Sequence, residues 1–156
     1  MAMLRRLTFL AIGLLICATF APWPSTGLVH ASTQAKAYFA GGCFWCMEEA
    51  FEKVDGVIAV VSGYMGGTVA NPTYEQVSDG RTGHAESIEV TYDPTKITYQ
   101  KLLDAFWRNV DPITPNAQFC DHGTQYRAVV FYSTDEEKRL SEESKSKLEQ
   151  SKRFPA

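Results

Sequence analysis

An excess of basic charge is missing from this chain of 156 residues: 15 Lys and Arg stand against 18 Asp and Glu, a formal charge of -3. That balance offers no clustered basic surface of the kind that holds nucleic acid. No apolar run reaches the roughly 20 residues a membrane-spanning helix needs; the longest, from Leu7 to Ala21, is about 15. Internal repeats and low-complexity tracts are absent, and the apolar and charged fractions, 45% and 21%, are ordinary for one globular domain. Cysteine is scarce. Beyond residue 31 only Cys43, Cys46 and Cys120 remain, and an odd number excludes a framework in which every thiol is paired.

The N-terminus differs in kind from the rest. Arg5-Arg6 precede the apolar run, Pro22 and Pro24 break it, and Val29-His30-Ala31 follows. This is the charge, core and cleavage layout of a secretory signal. We expect a signal peptide over 1–31, with an uncleaved anchor as the alternative, a linker over 32–36, and a single domain over 37–156. The protein is then exported, periplasmic or extracellular, and touches the membrane only through its N-terminal segment. Cys17 belongs to the signal core, since Ile16 is bulky where lipoprotein processing wants a small residue.

Within the domain, Gln34 to Phe39 reads as a strand. A helix follows with Cys43 at its N-cap, running to about Val54 with Phe44, Met47, Phe51 and Val54 on one face. Val57 to Tyr64 is β-branched and strand-like. Met65 to Gly83 is Gly-rich and polar and reads as one long loop. Glu86 to Tyr92 alternates as a two-faced strand. Thr98 caps a helix from Tyr99 to about Asn109, a loop leads to a strand over Arg127–Tyr132, and Thr134-Asp135-Glu136-Glu137 starts a last, polar helix as a capping box. That helix carries Leu140 and Leu148, with Glu143/Lys147 and Glu149/Arg153 as spaced pairs. The order β-α-β-β-α-β and then α predicts an α+β, ferredoxin-like split βαβ layout, a two-layer mixed sheet with helices. Because Pro155 follows the last helix at once, the domain is expected to be C-terminally shortened.

The chemistry gathers at Gly41-Gly42-Cys43-Phe44-Trp45-Cys46, where strand turns into helix. Unpaired amides and the helix dipole favour a thiolate at such a start, and the thiolate is the reactive form. Cys46 lies one turn on, within disulfide reach. Glu48 and Glu49 oppose the thiolate by their charge. Taken alone, Cys-x-x-Cys also suits a structural pair, half a zinc site short of two ligands, or a thiol-disulfide oxidoreductase.

The rest of the chain narrows the choice. Gly41-Gly42-Cys43-Phe44-Trp45, Ser62-Gly63-Tyr64-Met65-Gly66-Gly67, Asn71-Pro72-Thr73-Tyr74, Gly83-His84-Ala85-Glu86 and Asp121-His122-Gly123-Thr124-Gln125-Tyr126-Arg127 occur in one order. Together, over about Ala37 to Ala156, they closely resemble the A-type peptide methionine sulfoxide reductases. The resemblance implies reduction of the S epimer of methionine sulfoxide, free or in proteins. It makes Cys43 the nucleophile and Glu86 the proton donor, has Tyr74 and Tyr126 bind the sulfoxide oxygen, and has Asp121 support them. Phe44 and Trp45 would form the apolar wall for the methyl group. It implies no metal and no bound cofactor, an external thioredoxin-like dithiol as reductant, oxidised proteins or free methionine sulfoxide as substrates, and a monomer. His84 and His122 are read as turn or supporting residues.

Two departures from the family pattern stand out. Cys46 replaces a glycine common in the family, and the family's resolving cysteines near a longer C-terminus have no counterpart here. Cys46 is therefore expected to resolve Cys43, with Cys120 a bystander. Two rival readings are kept: disulfide exchange through Cys43/Cys46, which would not need Glu86, and an inactive truncated domain.

Overall fold

The computed structural model describes residues 33–154; residues 1–31, read above as a signal segment, lie outside them. Strand β1 (Ala35–Ala40) begins within the segment read as linker and leads into helix α1 (Phe44–Glu52), then β2 (Val57–Met65), α2 (Tyr74–Ser78), β3 (Ala85–Tyr92) and α3 (Tyr99–Asn109). Two-residue strands β4 (Ala117–Gln118) and β5 (Asp121–His122), a 3-10 turn (Thr124–Tyr126), β6 (Val129–Phe131) and α4 (Asp135–Gln150) complete the order. No described helix is long and apolar enough to cross a membrane.

Four strands form one sheet in the order β2-β3-β1-β6, and each neighbouring pair is antiparallel. β1 and β2 therefore point the same way with β3 inserted between them, and β3 and β6 likewise with β1 between. This is the split βαβ arrangement, but the four-stranded sheet is antiparallel throughout rather than mixed as expected, since β1 and β2, and β3 and β6, are parallel only across an intervening strand. Alternation along the strands chooses the faces. Phe39 pairs with Ile88, Ala37 with Val90 and Ala35 with Tyr92, so these share the side covered by helices. On the opposite side Lys36 pairs with Glu89 at 2.6 Å, exposed.

Phe39 is fully buried, its ring stacked 5.2 Å from Phe51 of α1 and 5.3 Å from Phe106 of α3, centroid to centroid. Leu102 and Leu103 fill the space beside it. The Thr98 hydroxyl caps α3 by accepting the Lys101 amide. α4 is polar because it packs on α3 through few contacts: Leu140 against the core and buried Ser144, whose hydroxyl accepts the Trp107 indole N–H at 2.8 Å.

Several local expectations needed correction. The segment Met65–Gly83 is not one loop, since α2 stands in its middle, started by a full capping box between Thr73 and Gln76. The strand expected over Arg127–Tyr132 is confined to Val129–Phe131, the three residues that pair with Tyr38–Ala40 at the end of β1. In α4 the Thr134 hydroxyl accepts the Glu137 amide, but the Glu137 carboxylate reaches the Ser133 amide at 2.7 Å, one residue earlier than a reciprocal box. Glu143 pairs with Arg139 and Glu149 with Lys145, each one turn back from the expected Lys147 and Arg153. Arg139 has a guanidinium that spans Glu136 and Glu143 together.

Candidate active site

The direction of the strands puts the end of β1, the end of β2, the start of β3 and the approach to β6 at one edge of the sheet. Three residues connect β1 to α1 there. Gly42 adopts φ +91°, and a Cβ on it would stand 2.6 Å from the Gln118 Cβ, so only glycine makes the turn and admits the neighbouring hairpin. Cys43 is the N-cap, still outside helical geometry at φ -55°, ψ 117°. Its carbonyl accepts the amides of Cys46 and Met47 at 3.1 and 3.2 Å. The sulfur makes no capping bond to the helix and is left available.

Cys46 is exposed in the first turn. The neighbouring Cys43 thiol, then burial and the charges of Asp121 and Glu49, push its pKa above that of an ordinary thiol. Cys43, Cys46 and Cys120 are all free thiols. They line one cavity of about 330 Å³, with Met47 below, Asp121 and Phe119 from the β4–β5 hairpin, and Arg108 from the end of α3. A larger hollow of about 590 Å³ opens elsewhere, around Trp107, Ile113 and Leu148, and contains none of these thiols.

Glu86 is one step of alternation beyond Ile88 on the helix side of β3. There it is 3% exposed, and one carboxylate oxygen accepts the Phe44 amide at 3.0 Å. Burial raises its pKa above the usual carboxylate value; the Phe44 amide opposes the rise and the charge of Asp121 adds to it. The carboxyl is thus biased toward its protonated form beside the first amide of α1.

Aromatic rings surround this pair. Phe44 is buried, with ring centroids of Trp45, Tyr64 and Tyr74 at 5.4, 5.6 and 6.4 Å. Tyr74, the first residue of α2, stacks on Trp45 at 6.2 Å and 11°, and both are exposed, 46% and 63%. Tyr126, closing the 3-10 turn, is half-buried; burial raises its pKa, followed by the charges of Glu86, Asp121 and Tyr74. Asp121 thus acts on Cys46, Glu86 and Tyr126 alike.

The residues singled out in the sequence therefore meet: Cys43, Phe44, Trp45, Cys46, Tyr74, Glu86, Asp121 and Tyr126 share one end of the sheet. Cys120 joins Cys43 and Cys46 in the wall of the same cavity, while His122 is exposed on β5. Two residues escaped the sequence reading. Tyr64 is the direct cross-strand partner of Glu86, and burial followed by the charge of Glu86 raises its pKa; pairing the two strands end to end would have found it. Gln118 is buried and exchanges hydrogen bonds of 2.7 and 2.8 Å with the Asp111 backbone, fixing the hairpin against Gly42; no sequence signal marked it. Among the described residues no three His, Cys, Asp or Glu side chains gather in a way that could hold a metal ion.

A thiol at a helix start, a second thiol one turn on and a buried carboxyl near aromatic rings are parts of the kind with which a thiol-dependent oxidoreductase works. A family model described as peptide methionine sulfoxide reductase matches residues 35–156. The chain is 51% identical over 119 residues to peptide methionine sulfoxide reductase MsrA of Halalkalibacterium halodurans, covering 76% of this chain and 68% of that one. It is 54% identical over 123 residues to the MsrA of Methanothermobacter thermautotrophicus, covering 79% and 73%. Among solved structures it is similar to reduced Mxr1 of Saccharomyces cerevisiae, with a TM-score of 0.71, 32% identity, and 76% and 70% of the two chains covered. Against methionine sulfoxide reductase A of Corynebacterium diphtheriae the TM-score is 0.66 at 32% identity, over 76% of this chain and 59% of that one. The chain belongs to the peptide methionine sulfoxide reductase family, and within it to the A-type, peptide-methionine (S)-S-oxide reductases.

Proposed function

We propose that this chain reduces the S epimer of methionine sulfoxide, free or within exported proteins, through Cys43. The Cys43 thiolate attacks the sulfoxide sulfur as Glu86 gives its proton to the sulfoxide oxygen, a poor leaving group until protonated. The hydroxyls of Tyr74 and Tyr126 donate to that oxygen as its bonding changes, while Phe44 and Trp45 hold the methyl. The attack joins the Cys43 sulfur to the substrate sulfur, and the protonated oxygen takes a second proton and leaves as water. A water then attacks the Cys43 sulfur and gives that proton back, the sulfur–sulfur bond breaks, and methionine departs, reduced by the two electrons that leave Cys43 a sulfenic acid. The Cys46 thiol then attacks the Cys43 sulfur, water leaves, and a Cys43–Cys46 disulfide forms. An external dithiol reduces the disulfide by exchange and is itself oxidised. One solved structure of yeast Mxr1 is of its complex with Trx2, and a thioredoxin-like donor fits the same need here. Electrons enter through thiols, so the route uses no metal, flavin or nucleotide.

The observation that carries this reading is Glu86, a buried carboxyl of raised pKa bonded to the amide next to Cys43. Disulfide exchange has no oxygen leaving group and does not require an acid at this place. That second reading draws support from the two free thiols, one helical turn apart and lining the same cavity. Single-turnover assays of the signal-less chain on separate S and R sulfoxide peptides, with dithiothreitol, distinguish the two. Turnover of the S epimer only, lost in Cys43→Ser, is expected. Reduction of insulin disulfides with neither epimer consumed would overturn the reading.

A further inference from the structure

His84 stands two residues before Glu86, and the proposed reaction gives it no task. Its half-buried imidazole makes two hydrogen bonds, both to the segment that follows β2. The Gly67 amide donates to Nδ1 at 3.1 Å, and Nε2 lies 2.9 Å from the Val69 carbonyl. Since Nδ1 accepts, the ring proton is on Nε2, which donates to Val69. The ring lies directly against the chain: a Cβ on Gly67 would come within 2.4 Å of both the His84 ring and its backbone nitrogen. The Thr68 amide adds a bond to the Thr82 carbonyl at 3.1 Å, and Arg127, from beside Tyr126, donates to the Gly83 carbonyl at 3.0 Å.

The segment held in this way leads straight to Tyr74. It passes Asn71, at φ +48°, and Pro72 to reach Thr73, the cap of α2. That helix has five residues, too few to be stable unaided, so its place depends on the burial of Val77 and on the ties at its two ends. Its far end is held by the Gln125 amide, which donates to the Ser78 carbonyl at 2.9 Å. Upstream of its near end, the imidazole holds the chain at Gly67 and Val69.

We propose that His84 is a positioning residue that sets Tyr74 relative to Glu86 by clamping Gly67 and Val69 to the strand carrying Glu86. The inference rests on the proposed function, in which the Tyr74 hydroxyl and the Glu86 carboxyl meet the same sulfoxide oxygen. A clamp on that spacing acts at the transition state, where displacement of a donor is most costly.

A double-mutant cycle on the signal-less chain tests it. His84→Ala should lower kcat about tenfold with KM within about twofold. His84→Asn, whose side-chain oxygen reaches the Nδ1 position and accepts from Gly67, should recover most of the loss. In a Tyr74→Phe background His84→Ala should cost nothing more, whereas in Tyr126→Phe it should cost its full tenfold. A tenfold loss that persists on Tyr74→Phe, or a His84→Asn variant no better than Ala, would overturn the clamp. Tryptophan emission reads the same placement without turnover, because Trp45 stacks on Tyr74. His84→Ala should move the emission as Tyr74→Ala does, and His84→Asn should leave it at the wild-type position; an unmoved emission in His84→Ala contradicts the inference. A wild-type chain inert toward both sulfoxide epimers would refute the proposed function, and the emission comparison would still decide the clamp.

Discussion

The backbone amide of Phe44 donates to the buried carboxylate of Glu86 at 3.0 Å. Phe44 follows the candidate nucleophile in sequence, and Glu86 comes from a strand 42 residues away, so this single bond registers the helix start against the sheet. Glu86 also bears on the stability of the fold. Its folded pKa is raised, mainly by burial, so between its unfolded and folded pKa values the native state binds more protons than the unfolded state. Its contribution to stability is therefore full below the unfolded value and is lost as pH rises through the folded one. Glu86→Gln keeps an oxygen for the Phe44 amide and removes the buried charge. Thermal melts should show the variant more stable than wild type at pH 8, with the difference shrinking toward pH 4. A gap constant with pH contradicts the sign.

One equivalent of sulfoxide should convert the reduced chain to a Cys43–Cys46 disulfide, read by peptide mass spectrometry. In Cys46→Ser the Cys43 sulfenic acid should persist long enough for a cyclic dione to label it. Cys120 lines the same cavity, which makes a Cys43–Cys120 bond the informative alternative. Its appearance in the wild-type chain would remove Cys46 from the proposed route.

Tyr74→Phe and Tyr126→Phe should each slow the chemical step by about tenfold to a hundredfold, the scale of one lost donor at a developing charge. Stopped single-turnover rates measure it, and the substrate KM should change far less. Tyr64→Phe separates packing from chemistry: its ring lies 5.6 Å from Phe44, so a rate within about threefold of wild type assigns it to the wall.

Much of this was legible because the physics involved is local. The Thr98 and Thr134 caps, the apolar stripes of α1 and α3 and the β-branched run of β2 each carry their own signal, and the element order then limits the topology. α2 escaped because five residues show no periodicity, although Thr73 and Gln76 spell a capping box. β4 and β5 escaped because a two-residue strand has no pattern at all. Glu86 was legible as a candidate acid only through the motif around it. An isolated Glu at a strand start reads as exposed, and its burial depends on α1 and on Tyr64 across the sheet. The meeting of Asp121, Cys46 and Tyr126 is likewise tertiary, made by a hairpin that rests on Gly42.

That hairpin contact and the central rings set the limits of stability. Gly42→Ala places a Cβ 2.6 Å from Gln118 at φ +91°, which should cost about 1–3 kcal/mol and slow turnover by shifting the start of α1. Phe39→Ala empties the space between Phe51 and Phe106 and should cost about 3–5 kcal/mol, a large part of the roughly 5–15 kcal/mol available to a domain. Urea midpoints give both values; a Gly42→Ala midpoint equal to wild type contradicts the close approach.

The most direct test of the account is the pH dependence of single-turnover reduction of S-sulfoxide peptide in wild type and Glu86→Gln. If Glu86 supplies the proton, the wild-type rate falls on the alkaline side as pH rises through the raised Glu86 pKa, because the acid form is consumed. The variant should lose that limb and run about a hundredfold or more slower. A Glu86→Gln chain that reduces the S epimer at the wild-type rate, with the alkaline limb intact, would contradict the account at its centre.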